Sequence, residues 1–189
     1  MKALEQRILK DGQVLPGGVL KVGSFLNQKI DTAFLFEMGK EIARLYENEK
    51  VTKIVTIEAS GIALAVAAAH DLNVPVVFAK KSRTSNVSGG VYQAKIYSFT
   101  HQCENVALIP KDYLDENDRV LIVDDFLAEG NAIAGLIQIV RQAGAALVGA
   151  AAAVEKGFQG GGDALRAQGV RVESLAIIDQ MDDDKIIYR

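Results

Sequence analysis

Residues Val120 to Val123 form an unbroken aliphatic run that ends directly in Asp124 and Asp125. That run restricts the fold more than any other feature of the chain. A strand that is apolar on both faces must be covered on both faces, which is the situation of a parallel sheet between helices. Arg119–Val123, Lys53–Ile57, Val74–Ala79, Leu147–Val154 and Arg171–Ile178 all read as strands of this kind. Helical patterns separate them. Asp31 is a good N-cap, and Phe34, Leu35, Met38, Ile42 and Leu45 recur at helical spacing through Glu49. Ile62–Leu72 is Ala-rich and helical, Asn131–Ala143 is helical, and Asp163–Gln168 is a short helix. Strands alternating with helices predict an α/β fold, a central parallel sheet flanked by helices.

Around this core the signals are weaker. Met1–Lys10 predicts a short amphipathic helix with Leu4, Ile8 and Leu9 inward, and Gly12–Ile30 has little periodicity. Tyr92–Phe99 and Glu104–Ile109 alternate as a hairpin does, and Lys185–Tyr188 predicts a last edge strand. The stretch Lys80–Gly90 between two strands is polar and ends in Gly89-Gly90, which predicts a mobile loop.

Composition excludes several classes. The 189 residues suit one domain. A net charge of -3 gives no basic field for nucleic acid. Cys103 is the single cysteine, so no internal disulfide forms, and neither it, His70 nor His101 belongs to a metal-binding or catalytic cluster. The charged N-terminus does not read as a signal peptide. The longest uncharged runs, Ala59–His70 and Ala143–Val154, fall short of the ~20 apolar residues of a membrane span. A cytoplasmic location with no membrane partner is expected.

In parallel α/β sheets ligands bind beyond the carboxyl ends of the strands, here the turns after Ile57, Val123 and Val154. Asp124 and Asp125 repel each other and lose hydration at a sheet end. They make sense beside hydroxyl donors or a cation. The backbone amides of Glu129 to Ala132 open a helix, where phosphate binds readily. A phosphorylated polyol such as ribose 5-phosphate satisfies both halves, whereas the plainer alternative is a solvated acidic turn. Glu58-Ala59-Ser60-Gly61 precedes another helix, and its amides are candidates for a second phosphate. Lys80, Lys81 and Arg83 follow the next strand and read on their own as a basic turn. Lys156 has only donors to offer, which suits a carbonyl oxygen, and Phe158 is placed to stack on a flat heterocycle. Glu155 and Lys156 together are expected to point into the crevice.

The stretch VLIVDDFLAEGNAI resembles the signature for phosphoribosyl pyrophosphate (PRPP) of the type I phosphoribosyltransferases: a hydrophobic strand, two acidic residues, a short loop with Gly, then a helix. The resemblance implies that Asp124 and Asp125 hold the ribose hydroxyls and act in catalysis. It assigns Ala128, Glu129, Gly130, Asn131 and Ala132 to the 5-phosphate. Glu58, Ser60 and Gly61 correspond to the pyrophosphate loop. Lys81 corresponds to a flap residue that reaches pyrophosphate, in close relatives from the neighbouring subunit. Most members carry Thr where this chain has Glu129 and Ala132, and some carry an acidic base where it has Ala128.

Leu20 to Asp31 is similar to the hood of the xanthine-using members, and the likeness runs over almost the whole chain. It implies one phosphoribosyltransferase domain over 1–189 with a hood formed mainly by about 1–30. It implies that Leu20, through its backbone, and Asn27 contact the base while Lys156 meets its 6-oxo group. The implied substrates are xanthine and PRPP, with Mg²⁺ accompanying PRPP without a committed protein ligand, in a homodimer. Two alternatives remain at this point: a non-catalytic regulator that senses PRPP, and a transferase for another purine. The net charge argues against the first, and Lys156 facing an amino group argues against adenine.

Overall fold

The computed structural model describes residues 1–82, 90–98, 103–182 and 185–189. Arg83, His101 and residues 84–89 of the expected polar loop lie outside them. The chain begins with α1 (Lys2–Asp11), a small hairpin of β1 (Gln13–Leu15) and β2 (Val19–Lys21), and a wide helical turn over Gly23–Asn27. Then come α2 (Thr32–Tyr46), β3 (Lys53–Ile57), α3 (Gly61–Leu72), β4 (Val76–Ser82), β5 (Val91–Ser98) and β6 (Cys103–Pro110). The second half holds β7 (Arg119–Leu127), α4 (Asn131–Gln142), β8 (Ala146–Lys156), α5 (Gly161–Ala167), β9 (Val172–Asp182) and β10 (Lys185–Tyr188).

The main sheet has eight strands in the order β10-β9-β8-β7-β3-β4-β6-β5. Its centre, β9-β8-β7-β3-β4, is parallel throughout. The edge strands are antiparallel, in keeping with the expected hairpin and last edge strand beside a parallel core. β6 joins β4 antiparallel, β5 pairs antiparallel with β6, and β10 pairs antiparallel with β9. Only four residues join β5 to β6 and two join β9 to β10, too few for the crossover that a parallel pair needs.

One apolar layer packs α1, α2, α3 and the Val22–Leu26 turn on one face, and the other packs α4 and α5 on the opposite face. Asp31 caps α2 as expected, its carboxylate accepting from the Phe34 amide at 3.3 Å. The predicted inward Leu9 is corrected. Leu4 and Ile8 are buried, but Leu9 is 60% exposed, because Leu4 and Ile8, four residues apart, already fill the narrow seam this helix presents to the core. Tyr46, fully buried, donates to the Ala150 carbonyl at 2.9 Å and ties α2 to β8.

Strand ends matter most for the site. Arg119–Val123 extends to Leu127, because β8 also extends to Lys156 and the ladder continues through Phe126↔Val154 and Leu127↔Glu155. Asp124 therefore sits inside the ladder, opposite Ala152, and not beyond it.

Helices α2 and α3 approach closely at Gly39. A Cβ there would lie 2.5 Å from the Ala67 carbonyl carbon and 2.6 Å from the Ala67 methyl. Helix propensity favours Gly39→Ala by roughly 1 kcal/mol, whereas forced overpacking costs roughly 1–3 kcal/mol. The neighbour here is backbone, so overpacking wins. Gly39→Ala is expected to lower the thermal midpoint by about 2–6 °C in a melt followed by circular dichroism; a rise would show that α2 and α3 separate freely.

Candidate active site

Asp124 and Asp125 are 5% and 6% exposed at the carboxyl end of β7. Burial, and next the charge of Asp125, hold the Asp124 carboxyl well above the usual carboxylate range, while the Lys81 ammonium pulls the other way. Asp124 also accepts from the Asp125 amide at 3.0 Å. Asp125 is gripped from two segments. Ser60 donates its hydroxyl to one carboxylate oxygen at 2.8 Å, and the Asn27 side-chain amide donates to the other at 3.0 Å. The hood, the turn after β3 and the end of β7 thus converge on one carboxylate.

The turn after β3 must lie close to Asp124. A Cβ on Gly61 would fall 2.7 Å from an Asp124 carboxylate oxygen and inside contact distance of the Thr56 hydroxyl. That hydroxyl is buried and has no hydrogen-bond partner among the described residues. Glu58 holds the start of the basic strand end, accepting from the Lys81 amide at 2.5 Å. The Glu58–Ala59 peptide is cis.

A cleft of about 560 Å³ runs over the carboxyl ends of the strands. It is lined by Gly18 from the hood, Lys81, Phe126, the whole turn Ala128–Ala132, and Lys156. Lys81 reaches this cleft on its own chain. Gly130 adopts a left-handed conformation, φ 83°, directly before α4, which turns the chain so that the first amides of the helix face the cleft. Asn131 donates to the Glu129 carboxylate at 3.3 Å, so the two polar side chains of the turn engage each other.

Lys156 donates to the Gly18 carbonyl at 2.9 Å and lies 5.8 Å from the centre of the Phe126 ring; burial lowers its pKa. Its neighbour differs from the expectation. Glu155 does not point into the crevice: it is fully buried and paired with Arg166, because the strand's alternation sends successive side chains to opposite faces. Phe158 is 43% exposed and its ring packs beside Gly18, outside the lining of the cleft. Leu20, 7% exposed, and Asn27 line a separate hood pocket of about 370 Å³. Asn27 links that pocket to Asp125.

Sequence reading missed Thr56, Gly18 and the glycines of α5. Gly161 and Gly162 follow Gly160 in the sequence, and that Gly-Gly-Gly run was the available signal of a tight approach.

Residues 27–183 match the model of the phosphoribosyl transferase domain family, and the chain belongs to that family. Among curated relatives, the xanthine phosphoribosyltransferase of Bacillus cereus (strain G9842) is 50% identical over 188 residues, covering 100% of this chain and 95% of the relative. The enzyme of the same name from Lachnoclostridium phytofermentans is 50% identical over 191 residues, covering 100% and 98%. Among solved structures, the adenine phosphoribosyltransferase of Giardia lamblia superposes with a TM-score of 0.76 at 22% identity, covering 94% of this chain and 98% of that one. That of Rhodothermus marinus gives 0.74 at 23%, covering 94% and 99%. At these identities the structural likeness concerns the fold.

The raised Asp124 pKa has a consequence for stability. Below the ordinary value of 3.8 the folded and unfolded chains both hold the proton. As pH rises, the unfolded chain ionises first and the folded one resists, so stability falls through the window up to the folded pKa. Asp124→Asn removes that penalty and keeps an acceptor for the Asp125 amide. Its melting midpoint is expected to exceed wild type at pH 7–8 and to converge with it near pH 3–4; a midpoint below wild type at neutral pH would mean that the carboxylate is ionised and stabilising in the folded chain.

Proposed function

We infer that this chain is a pentosyltransferase that moves the 5-phosphoribosyl group of PRPP to xanthine, giving xanthosine monophosphate and pyrophosphate. The observation that carries this reading is one strand-end region offering three chemistries. The Ala128–Ala132 turn, with amide donors for a phosphate, and Lys156, with donors for a carbonyl, line one cleft. The buried Asp124 and Asp125, acceptors for ribose hydroxyls, sit on β7 directly before Phe126 of that lining. The shared length and 50% identity with enzymes named for this reaction support it.

In the reaction the bond from the ribose anomeric carbon to pyrophosphate oxygen breaks, and a bond from that carbon to a purine nitrogen forms. The nitrogen gives up its proton to the departing pyrophosphate or to water. Positive charge spreads over the ribose ring in between; the Asp125 carboxylate is held in place by Ser60 and Asn27 before that charge appears, and the charge itself would favour ionisation of the buried Asp124. Ser60, Gly61 and Glu58 with Lys81 form the side of the site assigned to pyrophosphate. Ala128 carries no group able to take the purine proton, and xanthine is acidic enough to need little help.

Mg²⁺ bound with PRPP would neutralise charge on the leaving pyrophosphate. The chemistry of the donors fits it: two adjacent carboxylates repel, and a cation relieves that repulsion. Among the described residues no group of three His, Cys, Asp or Glu side chains stands ready for a metal, so PRPP oxygens would complete the shell.

A cytoplasmic homodimer completes the proposal. Phe78 and Tyr113, 40% and 58% exposed, line an apolar groove of about 900 Å³ that a second copy would cover. Light scattering at micromolar concentration is expected to give twice the chain mass of 20.3 kDa. A single-chain mass would remove the dimer and leave each site to its own Lys81.

The substrate is tested by a panel of bases with PRPP and Mg²⁺, followed by product analysis. Xanthine is expected first, hypoxanthine and guanine well behind, and adenine inactive. Lys156→Ala should weaken all 6-oxopurines together, whereas Asn27→Ala should narrow the gap between xanthine and hypoxanthine, since a polar reader left unpaired is what rejects the analogue. Asp124→Asn should cut kcat/KM by about ten- to a hundredfold. Preference for adenine, or equal loss on xanthine and hypoxanthine in Asn27→Ala, would overturn the base assignment.

A further inference from the structure

We propose that Glu155 and Arg166 position the phosphate turn, acting through the Gly161-Gly162 step at the start of α5. The inference rests on the reading above that Ala128–Ala132 takes the 5-phosphate. That turn offers few side chains to an anion. Ala128, Gly130 and Ala132 have none, and Asn131 and Glu129 hydrogen-bond each other. An anion must therefore be held by backbone amides, and their positions decide how well it binds.

Those positions are set from behind by α5. The Gly161 amide donates to the Ala128 carbonyl at 3.2 Å. A Cβ on Gly161 would fall 2.5 Å from the Gly130 nitrogen and closer still to the Ala128 oxygen and the Glu129 carbonyl carbon. The turn lies directly on the helix start, with no space between.

The next residue fastens that helix. A Cβ on Gly162 would collide with a Glu155 carboxylate oxygen and lie 2.9 Å from an Arg166 guanidinium nitrogen. Glu155 is fully buried and accepts two bonds from Arg166, each at 2.7 Å. Ser174 on β9 donates to it at 2.5 Å, and Arg166 also reaches the Val172 carbonyl at 3.3 Å. Glu155 itself lies opposite Leu127, the residue before the turn. The pair thus closes a ring: from the end of β7 across to β8, through the ion pair into α5, and through Gly161 back onto the turn. A buried pair of this kind contributes little net stability compared with apolar packing, so geometry is the better reason for its presence. Arg189, bonded to Asp163 at 2.9 and 3.1 Å, holds the same short helix from the solvent side.

The test separates the phosphate end of the ligand from the pyrophosphate end. Arg166→Lys keeps the charge and loses the bidentate fork, which limits damage to folding. Calorimetry with ribose 5-phosphate and, separately, with Mg²⁺-pyrophosphate is expected to show about tenfold weaker binding of the first and binding of the second within about twofold. Arg189→Ala, a surface change that leaves Glu155 paired, should show the same pattern at smaller size. Equal weakening of both ligands, or unchanged ribose 5-phosphate binding in both variants, would overturn the positioning role. Gly130→Ala, strained at φ 83°, is the control on the underlying reading. If it weakens ribose 5-phosphate while Arg166→Lys and Arg189→Ala do not, the turn binds phosphate without this support. If Gly130→Ala also leaves ribose 5-phosphate untouched, the phosphate assignment of the turn falls and the inference falls with it.

Discussion

The burial of two adjacent carboxylates, Asp124 and Asp125, is the constraint around which the strand-end site is arranged. Asp124 and Asp125 lie inside a hydrogen-bonded ladder and not beyond it, since β7 and β8 both run past them. Water is largely excluded at 5% and 6% exposure. Asp125 is given two side-chain donors, Ser60 and Asn27, from segments far apart in sequence. Asp124 accepts the backbone amide of its neighbour, but burial, and next the adjacent Asp125 charge, disfavours its ionised form. An arrangement that costs stability in the free chain is one that a polyol or a cation can relieve on binding. The buried Thr56 hydroxyl, close to Asp124 across Gly61, also has no hydrogen-bond partner among the described residues.

The central strands and the main helices were legible because their physics is local. Lys53–Ile57 appears as a strand over those residues, and Asp31 caps α2 as its residue type suggests. The sheet edges were less legible. Whether β6 runs parallel or antiparallel to β4 depends on what the connecting chain can span, and hydrophobic pattern does not encode it. Strand ends were also misjudged at β7 and β8. Asp-Asp and Glu-Lys look like the end of a strand by polarity, yet the ladder continues because its neighbours continue.

The candidate site divides along the same line. Residues close to one another in sequence, such as Ala128 to Ala132, were placed together by motif. Contacts across long separations were not visible: Lys156 on the Gly18 carbonyl spans 138 residues, and Asn27 on Asp125 spans 98. Glu155 shows the limit most clearly. Adjacent to Lys156 and equally charged, it was expected in the crevice, but one residue of strand alternation moves it to the opposite side, where Arg166 and Ser174 receive it.

That alternation explains how one strand end serves two parts of the site. At the tip of β8, Lys156 faces the cleft and Glu155 faces the α5 layer. Under the function proposed above, this strand end connects the base side to the Ala128–Ala132 turn through Glu155, Arg166 and Gly161, and so sets the distance between base and 5-phosphate. A transfer reaction needs that distance held, because the anomeric carbon must travel from pyrophosphate to a purine nitrogen while both ends stay fixed. The lysine's own state agrees with a preset role. Burial makes its charge costly, and one of its three donors is already committed to the Gly18 carbonyl of the hood. The remaining donors can only meet an acceptor. Under the function proposed above, a purine presenting a carbonyl there would meet those donors and one presenting an amino group would not.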